Sequence, residues 1–517
     1  MNMKKTQFLL LFFLTGFLFT SCSKEDMNDN PVDPNAELSG EKPTDNIDLE
    51  IKDFEWKAMN VWYLFQDDKE VLQDDYFANQ TELNTWLSTW DTPEDLFYDG
   101  LLYDYPNIDR FSWIVDDYTE LENEFAGISQ SSGMNFGLAR LCSGCSEIAG
   151  LVRYVVPGSP ADLAGIKRGM LFTEVDGQKL TVDNYRTLLY TTLSLTYGFN
   201  DLSQGTVGDV NKEIDITKTT VIENPVYIAK TFDLNGKKVG YLMYNNFVHN
   251  YDDELNDVFA DFKTKGISDL ILDLRYNTGG RLTSAVDLGS MINGQLKGKV
   301  FLKEKYNSYI TQAFTEQFGA ESLITKFDDQ IYEYDNNSDF PAQPINSLNL
   351  NKLYVITSGS TYSASEVLIN GLSPYMDVIK VGDTTGGKFQ ASITLYDTKA
   401  PNFQKNSGNL NPDHKYALQP LVSSNTNANG EAYPEGLIPD EAQYESIFTY
   451  GILGDENEPL LNTALGLISG NTSRSRLQRD TNKSYRKLPT ISESNAQSPT
   501  FGKMYVDGLH PKLSLEE

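Results

Sequence analysis

Histidine and cysteine are scarce in this chain, with three of each in 517 residues. His249, His414 and His510 are scattered and none has a motif around it, so a Ser/His/Asp arrangement has little support. Beyond Cys22 the only cysteines are Cys142 and Cys145, in "LCSGCS". A zinc site needs four ligands and no histidine is close to this pair in sequence, so neither metal nor other cofactor is expected. In an oxidising compartment the pair can close a small disulfide loop, and two free thiols are the alternative. Basic residues are also under-represented, 42 against 73 acidic ones, for a net charge of -31. Such a surface repels phosphate backbones, which argues against nucleic acid as a partner.

What is present begins with a leader. "MNMKKTQFLLLFFLTGFLFTSC" has two lysines, an apolar run from Phe8 to Phe19 broken only by Thr15 and Gly16, and small residues before Cys22. The run is too short for a comfortable transmembrane helix and has the three-part form of an export signal. It resembles a bacterial lipoprotein signal, which implies removal of residues 1–21 and lipidation of Cys22. The polar, acidic "SKEDMNDNPVDPN" that follows resembles the surface-export tag of some Gram-negative lipoproteins. The expected location is therefore the cell envelope, with a lipid anchor in the outer membrane and the chain exposed at the surface. Residues 22–50 hold too few apolar groups for a core and read as a tether.

The remaining length, with 40% hydrophobic residues overall, suggests about three domains. Phe54, Ala58, Val61, Trp62 and Phe65 recur at helical spacing, and residues 51–125 read as a small N-terminal helical domain. Residues 126–222 change to short apolar runs punctuated by glycine, the pattern of a β-rich domain. "GLAR" and "GSPADLAGIKRGM" resemble the carboxylate-binding loop and the turn and helix of a PDZ domain. That resemblance implies capture of a chain terminus as an added strand, its carboxylate held by N–H groups around Gly137 and Leu138. From 223 to 445 strands alternate with helices. "ISDLILDLRYN" and "KLYVITS" are nearly continuous apolar runs of the kind covered on both faces, so an α/β domain with a largely parallel central sheet is expected. The whole reads as a multidomain α/β protein with a C-terminal extension over 446–517.

Sites in such sheets gather where strands end and helices begin. At one such junction stands "TSGSTYSASEVLING", residues 357 to 371. Ser363 to Glu366 spells S-x-x-E, a capping box, so a helix cap alone accounts for the cluster. A serine nucleophile needs a base within reach, and a lysine serves if burial lowers its pKa from about 10.4. "VGDTTGGKFQAS" supplies Lys388 directly after two glycines.

"STYSASEVLINGL" and "VGDTTGGKFQ" together resemble the catalytic segments of the carboxyl-terminal processing (tail-specific) proteases, serine peptidases with a Ser/Lys dyad. "LILDLRYNTGG" and "YPEGLIPDEAQ" extend the resemblance, which with the PDZ-like region runs from about residue 50 to 445. It implies that Ser363 is the nucleophile and Lys388 the base. Ala364, with Gly279 or Gly280, would supply the oxyanion donors, and Glu366 would cap the helix or orient the lysine. The implied partners are protein or peptide substrates with unstructured C-termini. Three positions depart from the family pattern. Thr361 and Tyr362 stand where Ser-Ala is common, and Pro374 replaces an acidic residue for which Asp377 is an approximate substitute. The alternative is a non-catalytic surface lipoprotein that keeps the fold and holds a peptide or other ligand, but such a binder has no need of both Ser363 and Lys388.

Overall fold

The N-terminal region opens on helix α1 (Ile47–Trp62), begun by Asn46, whose side chain accepts from the Asp48 N–H. Its face of Phe54, Ala58, Met59 and Trp62 is buried, and α2 (Gln80–Leu87) adds Leu83 and Leu87 to the same core. The computed structural model describes residues 46–202, 206–331, 343–398, 402–405, 408–448, 450–470, 490–496, 498 and 500–506. Cys22, His510, the expected leader and most of the expected tether lie outside them. The helical region does not close a core of its own. Ile310, Phe314, Ile393, Leu395 and Val422, from far along the chain, complete it. A few short helices bury too little apolar surface to stand alone, so they share the larger domain's interior.

Helix α3 (Tyr118–Phe125) leads into the β-rich domain: β1 (Met134–Arg140), β2 (Ile148–Val155), β3 (Leu171–Val175), α4 (Tyr185–Tyr190), β4 (Ser194–Asn200) and β5 (Val210–Thr217). These strands pair antiparallel in that order. Alternate residues such as Phe136, Leu138, Phe172, Val175, Tyr197 and Phe199 fill one core. Cys142 and Cys145 lie in the β1–β2 connection and are disulfide-bonded.

The third unit contains β6 (Val226–Leu234), β7 (Lys237–Tyr244), α5 (Asp252–Lys265), β8 (Asp269–Asp273), α6 (Leu282–Ile292), β9 (Lys352–Thr357), α7 (Ala364–Leu372), β10 (Asp377–Gly382), β11 (Glu441–Ala442) and α8 (Pro459–Ser469). Strands β6 to β11 form one six-stranded sheet in chain order, antiparallel only between β6 and β7. The period of two sorts its side chains. Leu242, Leu270, Leu272, Leu353 and Val355 face α5, α6 and α7, while Tyr241, Met243, Ile271, Tyr354 and Ile356 face α8. This is the multidomain α/β architecture that the sequence predicts. The boundary expected at 445 is different: α8 lies beyond it and buries Leu460, Leu461, Ala464 and Leu465 against the sheet. Without α8 that face would be exposed, so the core continues to about residue 470.

The last described stretch returns to the body of the protein. Strand β12 (Thr490–Glu493) pairs with β1, and Met504–Tyr505 inserts between Gly280–Arg281 and Gln390–Ser392 in a second six-stranded sheet.

Candidate active site

Strand β9 ends at Thr357, and the chain turns sharply before α7. Ser363 occupies that turn with φ 64° and ψ -118°, a conformation that is strained for any residue but glycine. Such strain persists only where the surroundings enforce it, and here the enforcing contacts are visible. Thr361 Oγ1 donates to the Leu274 carbonyl at 2.8 Å, the Tyr362 N–H to the Asn277 carbonyl at 3.1 Å, and Ser365 Oγ to the same carbonyl at 3.2 Å. The serine turn is thereby bound to the loop that follows β8.

That loop carries Gly279 and Gly280, at φ 113° and 123°. A methyl group on Gly279 would fall 2.6 Å from Ser363 Cβ and 2.8 Å from the Lys503 carbonyl oxygen, so only glycine lets the backbone approach this closely. The Gly279 N–H is engaged by Asn277 Oδ1 at 2.9 Å, and the Gly280 N–H donates to the Lys503 carbonyl at 2.9 Å. The Gly280 N–H is therefore taken up by the Lys503 carbonyl, which lies at the close approach of Gly279 to Ser363.

Glu366 joins this turn to the loop of Lys388. Its carboxylate accepts from the N–H groups of Ser363 (2.8 Å), Gly387 (2.7 Å) and Lys388 (2.9 Å) and from Thr385 Oγ1. Burial nevertheless pushes its pKa up to about 7, because four hydrogen bonds offset only part of the desolvation. The side chain of Lys388 is fully buried, with Nζ 5.0 Å from the centre of the Phe111 ring. Desolvation holds its pKa well below the ordinary lysine value, and the nearby Lys503 ammonium lowers it further. Ser363 is also 0% exposed. Among the described residues neither Ser363 Oγ nor Lys388 Nζ has a hydrogen-bond partner.

Ser363, Ala364, Glu366, Gly279, Gly280 and Lys388 thus converge on one place. Gly137 and Leu138 do not join them. The segment expected to be a carboxylate-binding loop is part of strand β1, with Gly137 and Leu138 paired to Leu151 and Gly150 on one side and to Glu493 and Ser492 on the other. Gly137 alternates with buried Phe136 and Leu138, the pattern of a strand with one covered face.

Several residues around the site were not found by sequence reasoning. Arg275 is fully buried and binds Asp273, Glu458 and Glu445, with the closest contact 2.6 Å to Glu458. Glu445 also accepts from Arg168 of the β-rich domain at 2.7 Å, and these arginines hold its pKa down to about 2 despite burial. The signal for Arg275 was its place within an apolar strand run, where a charge requires partners. Phe111 and Lys503 had no local signal.

The arrangement is an α/β scaffold that presents a strained serine at a helix start, joined through Glu366 to the backbone of a buried lysine and set against a glycine turn. Residues 238–409, which include Gly279, Gly280, Ser363, Glu366 and Lys388, match the family model described as Peptidase family S41. That stretch is therefore similar to the S41 peptidases. It is 24% identical over 321 residues to the carboxyl-terminal-processing protease of Picosynechococcus sp., covering 61% of this chain and 65% of that protein. It is 23% identical over 233 residues to the carboxy-terminal processing protease CtpA of Bacillus subtilis, covering 45% and 43%. The matches thus span less than two thirds of these relatives' lengths. A solved Bacteroides fragilis protein assigned to the S41 proteases superposes with a TM-score of 0.58 at 26% identity, over 83% of this chain and 99% of that one.

Proposed function

We propose that the protein is a serine endopeptidase of the C-terminal processing type that works with a Ser/Lys dyad. Ser363 Oγ attacks the peptide carbonyl while neutral Lys388 takes its proton and later delivers it to the leaving amine. The N–H groups of Gly280 and Ala364 hold the oxyanion, and water then releases the acyl group from Ser363. Glu366 is a positioning residue. It binds the backbones of Ser363 and Lys388, so the nucleophile and the base are held as one unit. No metal or cofactor enters the scheme.

Residues 126–222 act in this reading as a PDZ module that takes up unstructured C-termini of substrates by strand addition. Lipidation of Cys22 tethers the enzyme to the outer membrane at the cell surface, so its substrates are polypeptides of the envelope or its surroundings.

The observation that carries the proposal is a lysine whose buried Nζ has no hydrogen-bond partner among the described residues, in the same site as a strained serine. A buried amine without an ion partner favours the neutral form, which a structural lysine has no use for and a general base requires. The test is labelling with a serine-directed fluorophosphonate. Wild type should label at Ser363, and both Ser363→Ala and Lys388→Ala should lose the label. Equal labelling of wild type and Ser363→Ala would reject the assignment.

A further inference from the structure

The protein's own C-terminal segment lies along both the edge of β1 and the cleft. Strand β12 pairs antiparallel with β1, Thr490 opposite Ala139 and Glu493 opposite Gly137. Tyr190 OH, from α4, donates to the Glu493 carbonyl at 2.7 Å. The Glu493 carboxylate takes two bonds from Arg153, at 2.6 and 3.3 Å, and one from Ser360 Oγ, three residues before the nucleophile. Arg153 and Glu493 are both buried. The segment continues past Phe501, whose ring lies 6.1 Å from that of Tyr362, to Lys503, whose carbonyl takes the Gly280 N–H. Lys503 Nζ donates to the Phe111 carbonyl at 2.6 Å, and Met504 and Tyr505 pair with the strands on either side. A cavity of about 610 Å³, lined by Gly137, Arg153, Tyr276, Ser360, Tyr362 and Glu493 among others, connects the two regions.

We propose that the β1 edge and Arg153 form a docking groove for an extended polypeptide segment that presents a carboxylate, and that residues 490–496 are its resident occupant, which together with residues 500–506 keeps the cleft closed. The inference deepens the peptidase reading and rests on it for the meaning of the cleft. Three facts support it. The occupant binds by strand addition, which any extended backbone can imitate. Its one charged anchor in the groove meets a buried guanidinium, and a buried cation left alone is strongly unfavourable, so a newcomer must bring its own carboxylate. Finally, Glu493 holds the groove and the nucleophile's turn together through Arg153 and Ser360, so exchange at Arg153 withdraws the segment from Ser360 and frees the Gly280 N–H. A tethered strand competes at an effective concentration on the order of millimolar, so the incoming segment must bind well or be abundant.

The experiment uses the full chain with and without Glu493→Gln. It reads hydrogen exchange over residues 490–506 and at Gly280 by mass spectrometry, and the rate at which a fluorophosphonate labels Ser363. Losing a charge-assisted bond should raise exchange and labelling by about ten- to a hundredfold. A second arm adds a peptide with the sequence of residues 489–495, or its counterpart with glutamine at the glutamate position, to wild type. The acidic peptide should speed both readouts and the glutamine peptide should not. Faster exchange with no labelling of Ser363 in any sample would uphold the groove and reject the peptidase reading. Unchanged exchange in both the variant and the peptide arms, with Ser363 labelled at the wild-type rate, would overturn the groove. Equal effects of the two peptides would overturn the role of the carboxylate.

Discussion

Glu366 and Lys388 meet through the lysine's backbone and not through its ammonium group. Glu366 Oε2 accepts from the Lys388 N–H at 2.9 Å and from the Ser363 N–H at 2.8 Å, while Lys388 Nζ lies over the Phe111 ring. A carboxylate on the ammonium would hold it charged. By taking the backbone, Glu366 positions the lysine and leaves the amine to be neutralised by burial.

Glu366→Gln should separate positioning from chemistry. An amide has one acceptor oxygen and two N–H donors, so it cannot accept from three backbone N–H groups and a hydroxyl at once. The expected result is a fall in kcat of roughly ten- to a hundredfold with little change in KM, and a stability loss of about 1–3 kcal/mol by urea denaturation. Unchanged kcat would remove Glu366 from the machinery.

The pH dependence follows from Lys388. Its pKa is lowered in the folded protein, so cleavage of a short peptide should rise with pH through an apparent pKa well below 10.5. Lys388→Arg should be inactive throughout, because a guanidinium does not give up its proton. A profile flat between about pH 5 and 10 would contradict this assignment.

Glu366 and Lys388 also act on stability in opposite directions. The native state binds fewer protons than the unfolded chain at Lys388, so that contribution improves as pH rises towards 10.5. Glu366, raised from 4.5 to about 7, keeps a proton that the unfolded chain has lost, so its contribution declines as pH rises between those values. Urea midpoints between pH 4.5 and 7 should therefore fall less steeply in Glu366→Gln than in wild type.

Gly279→Ala places a methyl 2.6 Å from Ser363 Cβ at φ 113°. The expected cost is about 1–3 kcal/mol from backbone strain alone, and labelling of Ser363 should be lost because the turn must shift. Normal labelling at normal stability would show that the loop has room that these distances deny it.

Arg275→Met should be among the most destabilising single changes. It leaves Asp273 and Glu458 buried without their cation, an effect of about 3–5 kcal/mol by denaturant titration. Replacing Asp273 and Glu458 by neutral residues in the same chain should recover part of it. A loss under about 1 kcal/mol for Arg275→Met would show that the buried carboxyls do not depend on this cation.

Much of this protein is set by neighbours in the chain. The apolar run of β8, the glycines at 279 and 280, the S-x-x-E opening of α7 and the lysine after two glycines are all local features. The α/β class and the convergence of Ser363, Glu366 and Lys388 follow from them, because a parallel sheet collects its strand ends on one side. Other features depend on partners hundreds of residues away. No window of sequence says that Glu493 will meet Arg153, 340 positions earlier, or that Lys503 will lie against Phe111. A strand edge accepts any backbone of the right direction, so "GLAR" carries no local sign of what will pair with it. The pKa of a lysine is likewise undetermined until its surroundings are packed, since burial comes from every element that surrounds it. Only the tertiary structure could bury the Lys388 amine and set Glu493 against Arg153.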